Sequence, residues 1–312
     1  MIRSTWDQRI RRADELAAAH PFAAEVLRFY RRIAGLQKAL YRHFEDACDP
    51  RTGQPGSISG VINGVQGLVK PPAAEAPSLR AAYGTTEVVP FYKTVDDMSS
   101  SRRQPELNLQ LLLPKFPEFL SETETFATHP FAEAARRLRT AGESRWRDAL
   151  TSCWQNATDF TPAGPEPVLA WIFLQPYAEF LADQGERAPG SGAPTVCPFC
   201  SAKPVVGVLR PEGDGGKRFL ICSLCSTEWR FGRILCPACG EENVEKLAVY
   251  TASQFPYVRV EACDTCRRYI KTVDLTKNGH AVPLVDELAT IPLNFWAEEH
   301  QYTKLQPNLL GI

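Results

Sequence analysis

Eight of the ten cysteines form four Cys-x-x-Cys pairs, and all four pairs lie within a stretch of 70 residues. A spacing of two residues lets both thiolates of one turn bind the same metal ion, so each pair is half of a tetrahedral four-sulfur site. Four such halves predict two complete sites and two bound metal ions. The predicted ligands are Cys197 and Cys200, Cys222 and Cys225, Cys236 and Cys239, and Cys263 and Cys266.

The residues between the pairs repeat one pattern. Two apolar segments around a glycine-rich turn at 213–216 predict a β-hairpin between the first two pairs. Residues 246–261 predict a second hairpin between the last two pairs. Because each hairpin then has a cysteine pair at either end, we expect sequential grouping, with one complete site on each hairpin. An interleaved, cross-braced grouping is the alternative.

All eight predicted ligands are thiolates, which leaves no open coordination position for a metal-bound water. The pattern therefore argues against hydrolytic metal catalysis, and a purely structural role for the metals is the simplest interpretation. Four thiolates suit zinc and iron equally well, so the ligands alone do not choose between them. Dithiol exchange is disfavoured, because it belongs to a thioredoxin-like βαβ context and not to repeated hairpins.

The rest of the sequence carries no recognisable catalytic motif. Its five histidines have no His-Glu-x-x-His spacing. It also lacks a phosphate-binding loop, a nucleophile elbow and a dinucleotide-binding glycine motif after a strand. We therefore predict that the protein is not an enzyme.

The composition is that of a globular protein. Apolar residues make up 44% and charged residues 23% of the 312 residues, and the formal net charge is −1. This balance disfavours general nucleic-acid binding. The apolar run 168–174 is too short to span a bilayer, and the charged N-terminus does not resemble an export signal. We expect no stable membrane insertion and a location in the reducing cytoplasm, where such cysteine pairs favour metal over disulfide.

The first part of the chain predicts mostly helix. Apolar residues recur at spacings of three and four from Phe22 to Phe44, which predicts one long amphipathic helix facing a bundle core. Further helices are predicted over 107–113, 131–138, 146–154 and 168–181. Pro176 should bend or break the last of these. Cys153 shares an apolar stripe and is expected to be a buried thiol, whereas Cys48 has no predicted role.

These elements predict an α+β protein, in which a mostly helical N-terminal domain precedes two tandem rubredoxin-like or zinc-ribbon-like β-hairpin modules and a C-terminal helical segment. Glycine and proline interrupt 50–104, which we predict to be irregular. The expected limits are 1–186 for the helical domain, 187–195 for a linker, 196–233 for the first module, 234–275 for the second, and 276–312 for the C-terminal helical segment and tail.

The cysteine pairs have distinctive neighbours. The segments are Cys-Pro-Phe-Cys at 197–200, Cys-Ser-Leu-Cys-Ser-Thr-Glu-Trp at 222–229, Cys-Pro-Ala-Cys at 236–239, Glu-Ala-Cys-Asp-Thr-Cys-Arg-Arg-Tyr-Ile-Lys at 261–271, Asp-Glu-Leu-Ala at 286–289 and Pro-Asn at 307–308. Together they resemble the formate dehydrogenase accessory protein family, FdhE. The resemblance covers about residues 195–312, and generic zinc ribbons do not share these flanks.

The resemblance implies a cytoplasmic accessory factor for respiratory formate dehydrogenase. Members of the family bind the catalytic subunit of that enzyme, which carries molybdenum, selenocysteine and an iron–sulfur cluster and is exported folded by the twin-arginine route. The resemblance also implies two rubredoxin-type iron ions held by the eight paired cysteines, with zinc as the alternative. The metals would serve either structure or redox chemistry.

Two other functions stay open. A rubredoxin-like electron-transfer protein would use iron at two adjacent sites. A zinc-ribbon nucleic-acid-binding protein would stack bases on aromatic side chains, although the net charge disfavours it. The candidate aromatic residues are Trp229, Tyr250, Tyr257 and Tyr269. For partner binding, Phe91-Tyr92 and the segment 284–296 are candidate surfaces, with burial in the fold as the expected alternative for both.

Overall fold

The computed structural model describes residues 5–48, 105–185, 194–213 and 215–311. The predicted irregular region 50–104, which includes Phe91-Tyr92, lies outside the described residues, as does most of the predicted linker. The helices of the described part are α1 (Trp6–Ala19), α2 (Ala24–Ala47), α3 (Leu109–Leu112), α4 (Phe116–Glu124), α5 (His129–Thr140), α6 (Glu143–Gln155), α7 (Pro165–Gln184), α8 (Pro283–Ala289) and α9 (Ile291–Glu299). The strands are β1 (Pro204–Glu212), β2 (Gly215–Cys222), β3 (Glu228–Arg230), β4 (Leu247–Thr251), β5 (Val258–Cys263), β6 (Arg268–Asp274) and β7 (Thr303–Lys304).

Helix α7 is the centre of the helical part. Fourteen of its 20 residues are buried, so it is covered on all sides, as expected for a helix without a polar face. The predicted amphipathic helix is α2, and its Phe44 lies against the rings of Tyr177 and Phe180 on α7. Phe22 lies before α2 in a 3₁₀ turn and is 55% exposed, so it is not part of the buried stripe.

The remaining helices agree with the sequence pattern only in part. Helices α5 and α6 contain the predicted segments 131–138 and 146–154, and Cys153 is buried as expected. Of the helix predicted over 107–113, only the single turn α3 is helical. Helices α1 and α4 have no counterpart among the predictions. Helix α1 begins with a capping box, in which Thr5 and Gln8 exchange side-chain hydrogen bonds with each other's backbone N–H.

The sequence predicts a bend or a break of α7 at Pro176. The helix runs unbroken through this residue, so the break is wrong. Proline has no N–H to donate to the carbonyl four residues earlier, which here is that of Ile172. The buried Gln37 side chain on α2 donates instead, with Nε2 2.8 Å from Ile172 O. Because this donor comes from another helix, the carbonyl is satisfied and the helix continues.

The strands form one seven-stranded sheet in the order β3-β2-β1-β6-β5-β4, with β7 beside β6. Strands β1 and β2 form the first predicted hairpin, and β4 and β5 form the second. Strands β1 and β6 pair in parallel and so join the two hairpins. Local patterns did not predict this joint, because it links segments that are far apart in the chain.

A glycine makes the joint possible. Gly207 on β1 lies opposite Thr272 on β6, and a Cβ at Gly207 would lie only 2.3 Å from Thr272 Oγ1. The two strands therefore approach each other at a place where a side chain does not fit.

The C-terminal helices cover one face of the sheet. Leu293 and Ala297 of α9 pack on a core cluster that includes Val260 of β5. Buried Lys271 on β6 donates from Nζ to the carbonyls of Glu287 (2.6 Å) and Thr290 (3.3 Å) at the end of α8. The candidate partner surface 284–296 is consequently mostly buried in this packing.

The predicted fold class is confirmed: a helical N-terminal part precedes a strand-rich part that contains two groups of four cysteines, and helices follow. The residue limits proposed for the individual domains stay predictions. None of the described helices combines the length and the apolar character that a membrane crossing requires.

Candidate metal centres

The fold gathers the eight paired cysteines into two groups of four. The first group is Cys197, Cys200, Cys222 and Cys225, and the second is Cys236, Cys239, Cys263 and Cys266. Within each group all sulfur atoms lie within 4.8 Å of one another. This is the sequential grouping that the repeated hairpins predict.

The sulfur spacings suit one metal ion in each group. Metal–sulfur bonds near 2.3 Å give a tetrahedron with edges of about 3.8 Å. In the second group, both Cys236–Cys266 and Cys239–Cys263 have sulfur separations of 3.7 Å. The first group is slightly tighter, with separations of 3.4–3.5 Å.

A residue in the left-handed conformation follows the second cysteine of every pair. These residues are Ser201 (φ 62°), Ser226 (φ 53°), Gly240 (φ 76°) and Arg267 (φ 56°). In three of the turns, the backbone N–H two residues after the first cysteine donates to its sulfur over 3.4 Å. Donors aimed at sulfur stabilise the thiolate, which is the form that binds metal.

Burial disfavours the charged thiolate form of these cysteines unless a cation lies next to the sulfur atoms. It raises the pKa of the Cys200 and Cys222 thiols well above the ordinary value, and it raises the pKa of Cys236 to about 11. A metal ion at the centre of each group would supply the compensating charge. The donor set therefore fits a thiolate-binding metal such as zinc or iron.

The two groups differ in exposure. All four cysteines of the first group are at most 1% exposed and belong to the hydrophobic core that also contains α7. In the second group Cys239 is exposed and Cys266 is half-buried. Solvent and other molecules can therefore reach the second group but not the first.

The helical part holds the first group by polar contacts. Gln175 on α7 donates from Nε2 to Ser223 O over 2.8 Å, next to Cys222. Ser226, next to Cys225, donates its hydroxyl to Glu179 Oε1 over 2.6 Å. Glu179 also forms a buried ion pair with Arg9 on α1, over 2.8 Å. The chain that surrounds the first group is thereby tied to two helices.

The Thr-Glu-Trp segment that follows Cys225 has three separate contacts. Thr227 Oγ1 lies 3.1 Å from Cys225 Sγ. Glu228 accepts two hydrogen bonds from Arg210 on β1, over 2.6 and 2.7 Å. Trp229 donates from Nε1 to Pro194 O over 2.8 Å and so fixes the chain that leads into the first pair. The segment therefore contacts the ligand Cys225 directly and also holds the chain that leads to Cys197.

Arg218 on β2 supports the second group. Its guanidinium is buried, and Nη1 donates to Gly232 O (2.8 Å) and Leu235 O (3.0 Å) in the loop that leads to Cys236. Nη2 pairs with Glu261 on β5 over 2.6 Å. Arg218 thereby fixes this loop against the sheet.

Three C-terminal motif segments meet at Glu287. Its carboxylate pairs with Lys271 over 2.9 Å and with Lys304, and it accepts from Asn308 Nδ2 over 3.0 Å. The cluster is at the junction of α8, β6 and the chain end. The sequence pattern contained these residues without indicating that they are in contact.

The aromatic residues proposed for base stacking are largely unavailable. Trp229 is 6% exposed and Tyr269 is 2% exposed, and both pack inside the fold. Tyr250 and Tyr257 are half-buried against the cluster beneath α9. These four side chains therefore form no open stacking surface.

Family models match the part of the chain that contains both groups. A model described as "FdhE, central domain" matches residues 196–233, and one described as "FdhE, C-terminal domain" matches residues 234–310. The first match contains the first cysteine group, and the second match contains the second.

Known proteins agree with these matches. A protein FdhE homolog of Aquifex aeolicus is 34% identical over 140 residues, which are 45% of this chain and 50% of the relative. A homolog of Pseudomonas aeruginosa is 31% identical over 207 residues, 64% of this chain and 66% of the relative. The aligned segments thus span half to two thirds of these relatives.

A solved structure extends the likeness to the helical part. The crystal structure of the FdhE protein from Pseudomonas aeruginosa superposes with a TM-score of 0.65 at 25% identity, and the match covers 99% of this chain and 97% of that one. With the two family models and the curated relatives, this match shows that the chain belongs to the FdhE family.

Proposed function

We propose that the protein is an accessory factor for the maturation of respiratory formate dehydrogenase. Family membership carries this proposal, since the matched segments include both cysteine groups. In this role the chain binds the immature catalytic subunit in the cytoplasm before export and catalyses no reaction of its own. The reducing cytoplasm would also keep the eight thiols available for metal.

We further propose that the eight cysteines hold two metal ions, one in each group. Iron is the metal that the family resemblance favours, and zinc is the alternative. Iron bound by four thiolates exchanges one electron, whereas zinc would act only as a structural cross-link. The chain's own residues position the ligands: Glu179 and Gln175 fix the turn of the first group, and Arg218 fixes the loop of the second.

A binding measurement and a deletion strain test the role. The purified full-length chain should bind the formate dehydrogenase catalytic subunit produced in the same organism, and deletion of its gene should abolish formate oxidation. Re-expression of the wild-type chain should restore it. Absence of binding, together with normal formate oxidation in the deletion strain, would contradict the proposal.

Electron transfer is the second candidate function, because the exposed Cys239 would bring the second metal close to solvent. Visible absorption of the protein distinguishes the two functions, because iron(III) bound by thiolates absorbs visible light and zinc bound by thiolates does not. The candidate requires an anaerobically purified protein whose visible absorption disappears on reduction. A colourless zinc-loaded protein that fully supports formate oxidation would rule it out.

A further inference from the structure

A groove of about 140 Å³ adjoins the second cysteine group. It lies between the loop 233–238 and the neighbouring ends of β4, β5 and β6. Cys236 and Cys263 form part of its wall, so whatever occupies the groove lies beside the second group. Ile270 on β6 contributes to the lining and also belongs to the main hydrophobic core.

Exposed apolar side chains concentrate at this groove. Five large hydrophobic residues of the described part are more than half exposed: Phe22, Ile234, Val244, Val249 and Phe295. Three of them, Ile234, Val244 and Val249, line the groove. Single exposed apolar residues are ordinary on a protein surface, but a cluster around a concave site marks an interaction surface.

Strand β4 forms the border of the groove and is an edge strand. One side of β4 pairs with β5, and within the described residues no strand pairs with its other side. Its sequence, Leu-Ala-Val-Tyr-Thr, has no charged residue and no proline. The opposite edge strand, β3, is three residues long and has Glu228 and Arg230 at its ends. Short length and charge protect an edge from pairing, and β4 has neither protection.

Arginines surround the groove. Its lining contains four arginines and one acidic side chain, Glu261. Arg218 and Arg259 both pair with Glu261 at 2.6 Å, whereas Arg233 and Arg268 are exposed at the border. A divalent metal held by four thiolates would add two negative charges nearby, and with these charges included the residues that line the groove remain net positive. The charge therefore complements an acidic segment.

We propose that β4 receives an extended segment of the partner protein as an added strand, with apolar side chains in the groove and acidic side chains beside Arg233 and Arg268. Backbone hydrogen bonds to the free edge of β4 supply affinity in this binding mode, and pockets for alternate side chains supply selectivity. The inference rests on the proposed function, since the partner is the formate dehydrogenase catalytic subunit. It places a strand of that subunit against the second cysteine group.

The test uses the full-length chain, the purified catalytic subunit and overlapping 15-residue peptides that cover the subunit's sequence. At least one peptide that contains apolar and acidic residues should bind the wild-type chain. Val249→Lys, which places a charge on the edge and in the groove, should weaken binding of both peptide and subunit by at least about tenfold. Arg233→Glu combined with Arg268→Glu should do the same through charge repulsion.

Phe22→Asp is the matched control, because Phe22 is 55% exposed in the 3₁₀ turn before α2 and does not line the groove. It should bind like wild type. Val249→Thr keeps a β-branched, uncharged residue and should also retain binding. Hydrogen exchange adds a readout without mutation, since the backbone amides of 247–251 that face away from β5 should become protected when the peptide binds. Equal metal content and thermal unfolding midpoints in all variants show that loss of binding is not loss of folding.

The outcomes separate this inference from the proposed function. If the subunit binds wild type and the Val249→Lys variant equally, or if no peptide binds, strand addition at β4 is wrong while the accessory role stands. If the wild-type chain does not bind the subunit at all, both strand addition at β4 and the accessory role are wrong. If the chain dimerises through β4, and Val249→Lys abolishes only the dimer, the occupant is a second copy and the proposed occupant is wrong.

Discussion

Ser226 donates its hydroxyl to Glu179 over 2.6 Å, and this contact ties the first cysteine group to helix α7. The same carboxylate pairs with Arg9 on α1, where both side chains are at most 3% exposed. The second cysteine group is held differently, by Arg218 and the sheet, and it is open to solvent on one side. The two groups have the same ligands but different surroundings, and the surroundings determine how each should behave.

Glu179→Gln should strongly destabilise the protein. The change removes the carboxylate charge that pairs with the buried Arg9 guanidinium, and removing one partner of a buried ion pair costs about 3–5 kcal/mol. Urea unfolding followed by circular dichroism measures the free energy of unfolding. Asp14→Asn is the control, because Asp14 pairs with Arg31 on the surface and the two side chains are 53% and 47% exposed. Equal, small losses in both variants would contradict the account.

Gln37→Leu should destabilise the protein more when Pro176 is present than when it is replaced. The variant leaves Ile172 O buried without a donor, which costs about 1–3 kcal/mol. In a Pro176→Ala background, the new backbone N–H can donate to the same carbonyl, so the cost of Gln37→Leu should fall. A double-mutant cycle in urea measures the coupling between the two changes. Additive effects would show that Gln37 does not replace the missing proline donor.

Gly207→Ala should weaken the joint between the hairpins, because its Cβ would meet Thr272 Oγ1. We expect a loss of about 1–3 kcal/mol, mostly recovered when Thr272→Ala is added. Thermal unfolding of the single and double variants checks this. Gly35→Ala on α2 is the control, since a Cβ there has no neighbour within 4 Å and alanine favours helix. Destabilisation by Gly35→Ala, or no recovery in the double variant, would count against the packing argument.

Chelation should remove the two proposed metals at different rates. The second group has an exposed cysteine and a half-buried one, so a chelator reaches it first, whereas the first group must open from within the core. Release followed with a colorimetric metal indicator should show two phases of equal amplitude. Cys239→Ser should eliminate the fast phase only. A single phase, or loss of the slow phase in that variant, would show that exposure does not control release.

Local spacing made the cysteine groups predictable from the sequence. Each pair needs only two intervening residues, and the hairpin repeat indicated which pairs meet. The long apolar periodicity of α2 was predictable for the same reason. The break at Pro176 was predicted wrongly because Gln37, its compensating donor, lies far away in the chain.

The asymmetry between the groups could not be predicted, because it depends on which part of the molecule covers each hairpin. Both groups have four cysteines at the same spacing, yet only the first is covered by α7. The parallel pairing of Gly207 with Thr272 is likewise non-local. The buried ion pair between Glu179 and Arg9 could not be predicted from the sequence either, since isolated charged residues on helices are ordinarily exposed.

Each cysteine group should hold one metal ion through four sulfur ligands. Metal analysis combined with X-ray absorption at the metal edge, on anaerobically purified full-length protein, tests it most directly. We expect two metal ions per chain, each with four sulfur neighbours at about 2.3 Å and no lighter ligand. A folded protein with no more than one metal ion per chain, or with nitrogen or oxygen ligands at the metal, would contradict this expectation.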